Sequence, residues 1–215
     1  MGADSVETMT NDVDFGVSNF FIGIPGVSVA TGEQDSASIF ALGMPKGLNK
    51  AEPFVHSVVV YDGTAGNDSL LVTSTGISGI QVSGDISRNY TNVVLFEFHG
   101  HNGNDNFNGQ YASVPINAFG GNGNDTLKGS SFYDRLVGGA GHDMLFAYGG
   151  NDVLEGGSGE DLLNGGSGND KLYGYKASSA ISDGVRDFLV GGSGYDQAWG
   201  DSADWLFSIE SFTNL

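Results

Sequence analysis

The chain contains no cysteine, only four prolines and only eight Lys and Arg among 215 residues. Without cysteine there are no disulfides and no thiolate metal centres. That suits a secreted chain stabilised by metal, although many cytosolic proteins lack cysteine too. With so little proline and no three-residue glycine period, a collagen helix is excluded. The shortage of basic residues argues against nucleic acid as a partner, because a phosphate backbone needs positive patches. No apolar run approaches the ~18 residues of a membrane span. The first ten residues have neither the basic start nor the apolar centre of a signal peptide. Any export is therefore expected by another route, or the sequence is a piece of a longer protein.

What is present in excess is glycine, 36 residues, and acid, 26 Asp and Glu for a net charge of −18. Aromatic content of 11% is too high for a disordered Gly/Ser linker. Fourteen of the acids lie between Asp105 and Asp204. In a compact structure they would repel one another unless neutralised, and divalent cations are the natural complement.

The acids are spaced regularly. From Gly120 the chain reads as rows of nine: GGNGNDTLK, GSSFYDRLV, GGAGHDMLF, AYGGNDVLE, GGSGEDLLN and GGSGNDKLY, ending at Tyr173. Every row has Asp at position six and Leu at position eight. A seventh row opens at Gly174 but reaches its Asp only at Asp187, after an insertion of about eight residues around 176–184. The row 191–199 (GGSGYDQAW) follows. In the row opened by Gly200, Trp205 takes the Asp position, and the alternating tail 206–212 reads as a capping strand. Two outlying copies, 63–71 (GTAGNDSLL) and 100–108 (GHNGNDNFN), lie upstream. Among them are strand-like runs at 55–61, 77–83 and 93–98.

Each row is G-G-x-G-x-D-x-U-x, with U a large apolar residue. The first six positions predict a turn and the last three a short strand. Glycine permits left-handed backbone and close approach, so that carbonyls can converge on an ion. Asp supplies a hard anionic oxygen for a cation that takes six to eight oxygen ligands. The U residues predict an inward ladder of Leu127, Leu136, Leu145, Leu154, Leu163, Leu172 and Leu189. Two rows make one coil, so like turns recur every 18 residues. One edge then carries Asp125, Asp143, Asp161 and Asp187, and the other Asp134, Asp152, Asp170 and Asp196. Ions between consecutive turns would be held by two carboxylates and by turn carbonyls at Gly121, Gly123, Gly139, Gly141, Gly157, Gly159, Gly166, Gly168, Gly192 and Gly194. Adjacent pairs give about six Ca²⁺, and Asp105 adds a further candidate with Asp125. The segment 129–133 lacks the usual glycines, which puts its carbonyls in doubt as ligands.

These rows resemble the repeats-in-toxin (RTX, haemolysin-type) calcium-binding family. The resemblance covers about 85 residues strongly and a longer stretch loosely. It is specific for fold and metal but not for role, since such repeats occur in toxins, proteases, lipases, polysaccharide epimerases, adhesins and surface-layer proteins. It implies type I secretion of an unfolded chain that folds on meeting calcium outside the cell.

Rival chemistries find no support in the sequence. There is no G-x-x-x-x-G-K-[ST] loop for phosphate, no EF-hand loop, no H-E-x-x-H around His56, His99, His101 or His142, and no G-x-S-x-G. Paired Asp could imitate a glycosidase dyad, but their regular array reads as calcium sites. The expected fold is all-β: a parallel β-roll, or β-solenoid, of nonapeptide repeats with a less regular β N-terminal part. Residues 1–54 are expected to be a strand pair or a disordered segment, 55–119 irregular solenoid coils, 120–204 the calcium-binding roll, and 205–215 a C-terminal cap. One outward face should carry Met144, Phe146, Leu162, Phe188 and Val190, an apolar surface expected to meet residues 15–24, the insertion or a protein partner. The function expected is a non-enzymatic calcium-binding scaffold of a secreted or cell-surface protein. The alternatives are a secretion and folding tail of an exported enzyme, or a polysaccharide-binding module using Tyr173, Tyr175, Tyr195 and Trp199.

Overall fold

The computed structural model describes residues 36–42, 56–175 and 184–214. All regular elements among them are strands, and no helix is long and apolar enough to cross a membrane. In chain order they are β1 (Ser36–Leu42), β2 (His56–Asp62), β3 (Ser69–Gly76), β4 (Gly79–Gly84), β5 (Arg88–Tyr90) and β6 (Val93–Asn102). There follow β7 (Asn106–Tyr111), β8 (Ile116–Asn122), β9 (Thr126–Lys128), β10 (Arg135–Ala140), β11 (Met144–Phe146) and β12 (Val153–Ser158). The last are β13 (Leu162–Ser167), β14 (Lys171–Tyr173), β15 (Phe188–Ser193), β16 (Gln197–Gly200), β17 (Trp205–Phe207) and β18 (Ser211–Asn214).

The chain alternates between two sheets, each coil adding one strand to each. The first runs β1-β2-β6-β8-β10-β12-β14-β16-β18 and the second β17-β15-β13-β11-β9-β7-β3-β4-β5. Pairing along the roll is parallel, with Leu136 opposite Leu154 and Leu145 opposite Leu163, one 18-residue coil apart. The exceptions lie at the N-terminal end, where β1 joins β2 and β3, β4 and β5 pair antiparallel. Of residues 1–54 only β1 is described, so the expectations for that segment, and for 15–24 and 176–183 as covers, otherwise fall outside the described residues.

Strands start where the rows predict; β9, β11 and β14 keep to the predicted three residues, whereas β10, β12, β13 and β15 run further. β10 spans position seven of one row to position three of the next, so the opening glycine pair lies in the strand and the turn is confined to positions four to six. The reason is the parallel ladder, in which Gly139 and Ala140 pair with Gly157 and Ser158 of the next coil. The U residues point inward and are fully buried. Burying one such leucine stabilises by roughly 1.5–3 kcal/mol. Toward the N-terminus the interior changes from leucine to aromatic: Tyr61, Phe98, Phe107 and Phe96 stack with centroids 4.9–5.7 Å apart.

Two expectations about strands need correction. The run 77–83 becomes a strand only from Gly79, because Gly76 and Ser78 adopt left-handed backbone and Ile77 sits exposed at the β3–β4 turn. The tail 206–212 is not one strand. It splits into β17 and β18 around Ser208, itself left-handed, and so adds a further half-coil to each sheet. The outward residues of β11, β13 and β15 include Met144, Phe146, Leu162, Phe188 and Val190. Trp205 and Phe207 of β17 extend that apolar strip.

Candidate metal centres

The turns that join the two sheets stack into two edges, and each edge is threaded by a ladder of carboxylates. On the first, the amide of Asp68 donates to Asp105 Oδ1, Asp105 to Asp125, Asp125 to Asp143, Asp143 to Asp161, Asp161 to Asp187 and Asp187 to Asp204, all at 2.7–2.9 Å. On the second, Ile116 donates to Asp134, Asp134 to Asp152, Asp152 to Asp170, Asp170 to Asp196 and Asp196 to Glu210, at 2.7–2.9 Å. The insertion before Asp187 leaves the spacing intact, since Asp161 still donates to Asp187 at 2.9 Å.

One oxygen of each side chain thus serves the backbone. The other has a different fate. The Oδ2 atoms of Asp105, Asp125, Asp143, Asp152, Asp170 and Asp196 are buried without a hydrogen-bond donor. Burial raises the carboxyls of Asp105, Asp125, Asp143 and Asp170 to about 6 and that of Asp152 to about 8, and it raises Asp196 as well. Like charges on both neighbouring coils add to the effect at Asp105 and Asp152, and on one neighbouring coil at Asp125 and Asp170. A buried carboxylate with an unanswered oxygen is costly, and either a proton or a cation can answer it.

The row glycines admit no side chain, for two separate reasons. At position one the row's own Asp lies over the Cα: a Cβ on Gly120 would stand 2.1 Å from Asp125 Oδ2. At positions two and four the backbone is left-handed, and a Cβ on Gly123 (φ +129°) would fall 1.7 Å from the carbonyl oxygen of Gly103 on the preceding coil. The same holds for Gly121, Gly139, Gly141, Gly157, Gly159, Gly166, Gly168, Gly192 and Gly194. Their carbonyls form columns beside the carboxylate ladders. Among the described residues no three acidic or histidine side chains converge, so a bound cation would need these carbonyls to complete its shell.

Three members of the ladders escaped the sequence reading. Asp68 heads the first edge, and its row was recognised without its side chain being assigned. Gly150 and Gly103 have the same left-handed backbone as the named glycines, and both stand at position four of recognisable rows. Asp204, not Trp205, occupies the Asp position of the last row: Asp187 donates to Asp204 Oδ1, and Trp205 pairs with Phe188 at position seven. The row is one residue short, which counting by nine could not reveal. Glu210 ends the second edge with a longer side chain.

Residues 119–154, 146–176 and 183–207 match the family described as RTX calcium-binding nonapeptide repeat (4 copies). The stretch 119–207 carries RTX-type nonapeptide repeats. A search of curated proteins and a search of solved structures each return no match. The RTX repeat is a structural calcium-binding module, and the donor set built by this roll, hard oxygens from carboxylate and carbonyl, suits that ion.

Proposed function

We propose that this protein is a calcium-dependent structural scaffold of a secreted or cell-surface protein, folding when its carboxylate ladders are neutralised outside the cell. One observation carries the reading: along two edges of stacked Asp, the side chains of Asp105, Asp125, Asp143, Asp152, Asp170 and Asp196 spend one oxygen on the backbone and bury the other without a donor. The side chains that would hold the ions are the ladder carboxylates whose second oxygen has no donor, with turn carbonyls completing each shell, and the expected load is about six ions. When bound, calcium supplies positive charge that offsets repulsion between successive carboxylates. Because these sites need consecutive coils, binding free energy becomes folding free energy. Sites of extracellular modules commonly dissociate at about 10⁻⁴–10⁻³ M, leaving them empty in cytosol. We assign the roll no catalytic role.

Far-ultraviolet circular dichroism across a calcium titration tests the proposal. Sheet content should rise with calcium and fall on chelation. A chain equally folded and equally stable in excess chelator would refute it.

A second reading, contact with an acidic polysaccharide, is supported by Tyr173 stacked on Trp199 at 4.6 Å on the outer face of the first sheet. Tyr175 is buried and drops out of that set. A glycan array with and without calcium tests it.

A further inference from the structure

Two carboxylates depart from the ladder pattern by accepting from a hydroxyl residue of their own row. Asp204 shares only the amide part of this arrangement, its Oδ2 accepting from the Asp201 amide at 2.7 Å. Asp68 is the first carboxylate of the first edge and Asp134 the first of the second. In each case the residue four positions earlier is a hydroxyl amino acid at position two of the row, Thr64 or Ser130. The Thr64 amide donates to Asp68 Oδ2 at 2.9 Å and its hydroxyl to Oδ1 at 3.2 Å. The Ser130 amide donates to Asp134 Oδ2, and its hydroxyl lies 2.9 Å from Oδ1 and 3.1 Å from Oδ2. Asp134 Oδ1 also accepts from Ile116 at 2.7 Å. Both oxygens of these two side chains are therefore answered by protein donors.

The backbone explains the difference. Position two is left-handed at Gly121, Gly139, Gly157, Gly166 and Gly192, and also at His101 and Tyr148. Thr64 and Ser130 are not among the residues with positive φ. At Gly157 the amide donates to the carbonyl of Gly174 on the next coil, 3.1 Å away. At Ser130 and Thr64 the amide turns onto the carboxylate instead. A cation approaching Oδ2 of Asp134 or Asp68 would meet the positive end of an N–H dipole and would have to break two or more hydrogen bonds already made.

We infer that Thr64–Asp68 and Ser130–Asp134 are hydroxyl-locked turns that take no ion and close the N-terminal end of each ladder, so that calcium loading begins beyond them. The inference rests on the calcium reading above. It also turns a sequence feature into a rule for this chain: Ser or Thr at position two locks the row's Asp, whereas a left-handed residue there leaves it open.

The test compares the full chain with Asp134→Asn, Asp152→Asn, Ser130→Ala and Ser130→Thr, measuring bound calcium per chain by equilibrium dialysis at saturation and the urea midpoint of the loaded protein. Asp152→Asn should lower the number of ions, while Asp134→Asn should leave it unchanged. Ser130→Ala should reduce the urea midpoint with no loss of ions, and Ser130→Thr should restore it, as Thr64 performs the same task on the other edge. Ser130→Ala keeps the carboxylate, so the inference stays testable if Asp134→Asn fails to fold. Loss of an ion in Asp134→Asn or Ser130→Ala, alongside a loss in Asp152→Asn, overturns the lock alone. A wild-type chain that binds no calcium overturns the calcium reading and the lock together.

Discussion

Acid should substitute for calcium. The buried carboxyl of Asp143 is raised from 3.8 to about 6, chiefly by desolvation. One unit corresponds to about 1.4 kcal/mol, so holding Asp143 ionised inside the metal-free roll costs about 3 kcal/mol relative to the unfolded chain. Asp125 and Asp170 are raised to the same degree and Asp152 further, to about 8. Together these terms are on the order of the whole 5–15 kcal/mol that stabilises a typical domain. Each of these groups has a folded value above its unfolded one, so the folded state holds the extra protons. Stability is then greatest below the unfolded value and is lost as pH rises through about 6, and through about 8 for Asp152. Calcium-stripped protein followed by circular dichroism and urea unfolding should gain sheet content and stability between about pH 7.5 and about pH 5. The reasoning is refuted if the metal-free chain is no more folded at the lower pH, or if its stability increases with pH.

Three other perturbations separate the parts of the structure. Leu154→Ala removes a fully buried rung of the inner ladder and should cost about 2–5 kcal/mol, read from urea unfolding in saturating calcium. Gly123→Ala places a methyl against the Gly103 carbonyl at a left-handed position. It should lower calcium-loaded stability by on the order of 1–3 kcal/mol or more, while leaving the Asp125 side chain in place. Asp204→Asn weakens the acceptor that holds the Asp187 amide. It should loosen β17 first, seen as faster hydrogen exchange in 205–207 than in 162–167, and equal exchange in both would show that Trp205, not Asp204, holds the row.

The regular part of this protein is legible in its sequence because a nonapeptide period, doubled, is the chain length of one full coil. Once Asp and Leu recur at fixed offsets, their sides are set: Leu145 must stack on Leu127 and Leu163, and Asp143 must fall on the edge of Asp125 and Asp161. No long-range information is needed, since each coil touches only its neighbours.

What the period could not show is where it fails without losing register. Asp204 arrives a residue early and still accepts the Asp187 amide, because a turn can absorb a residue while the strand pairing of Phe188 with Trp205 is kept. The insertion before Asp187 leaves the ladder in register, since the Asp161 amide still donates to Asp187. Which oxygens remain unanswered was also beyond the pattern: Asp134 and Asp152 occupy the same position in their rows, yet only the backbone angle at Ser130 turns an amide onto the former. The sequence by itself determined the roll, its leucine interior and its two acidic edges, through short-range periodicity. Only the tertiary structure decided which carboxylates are left for a cation, because that depends on peptide orientation and on donors from the adjoining coil.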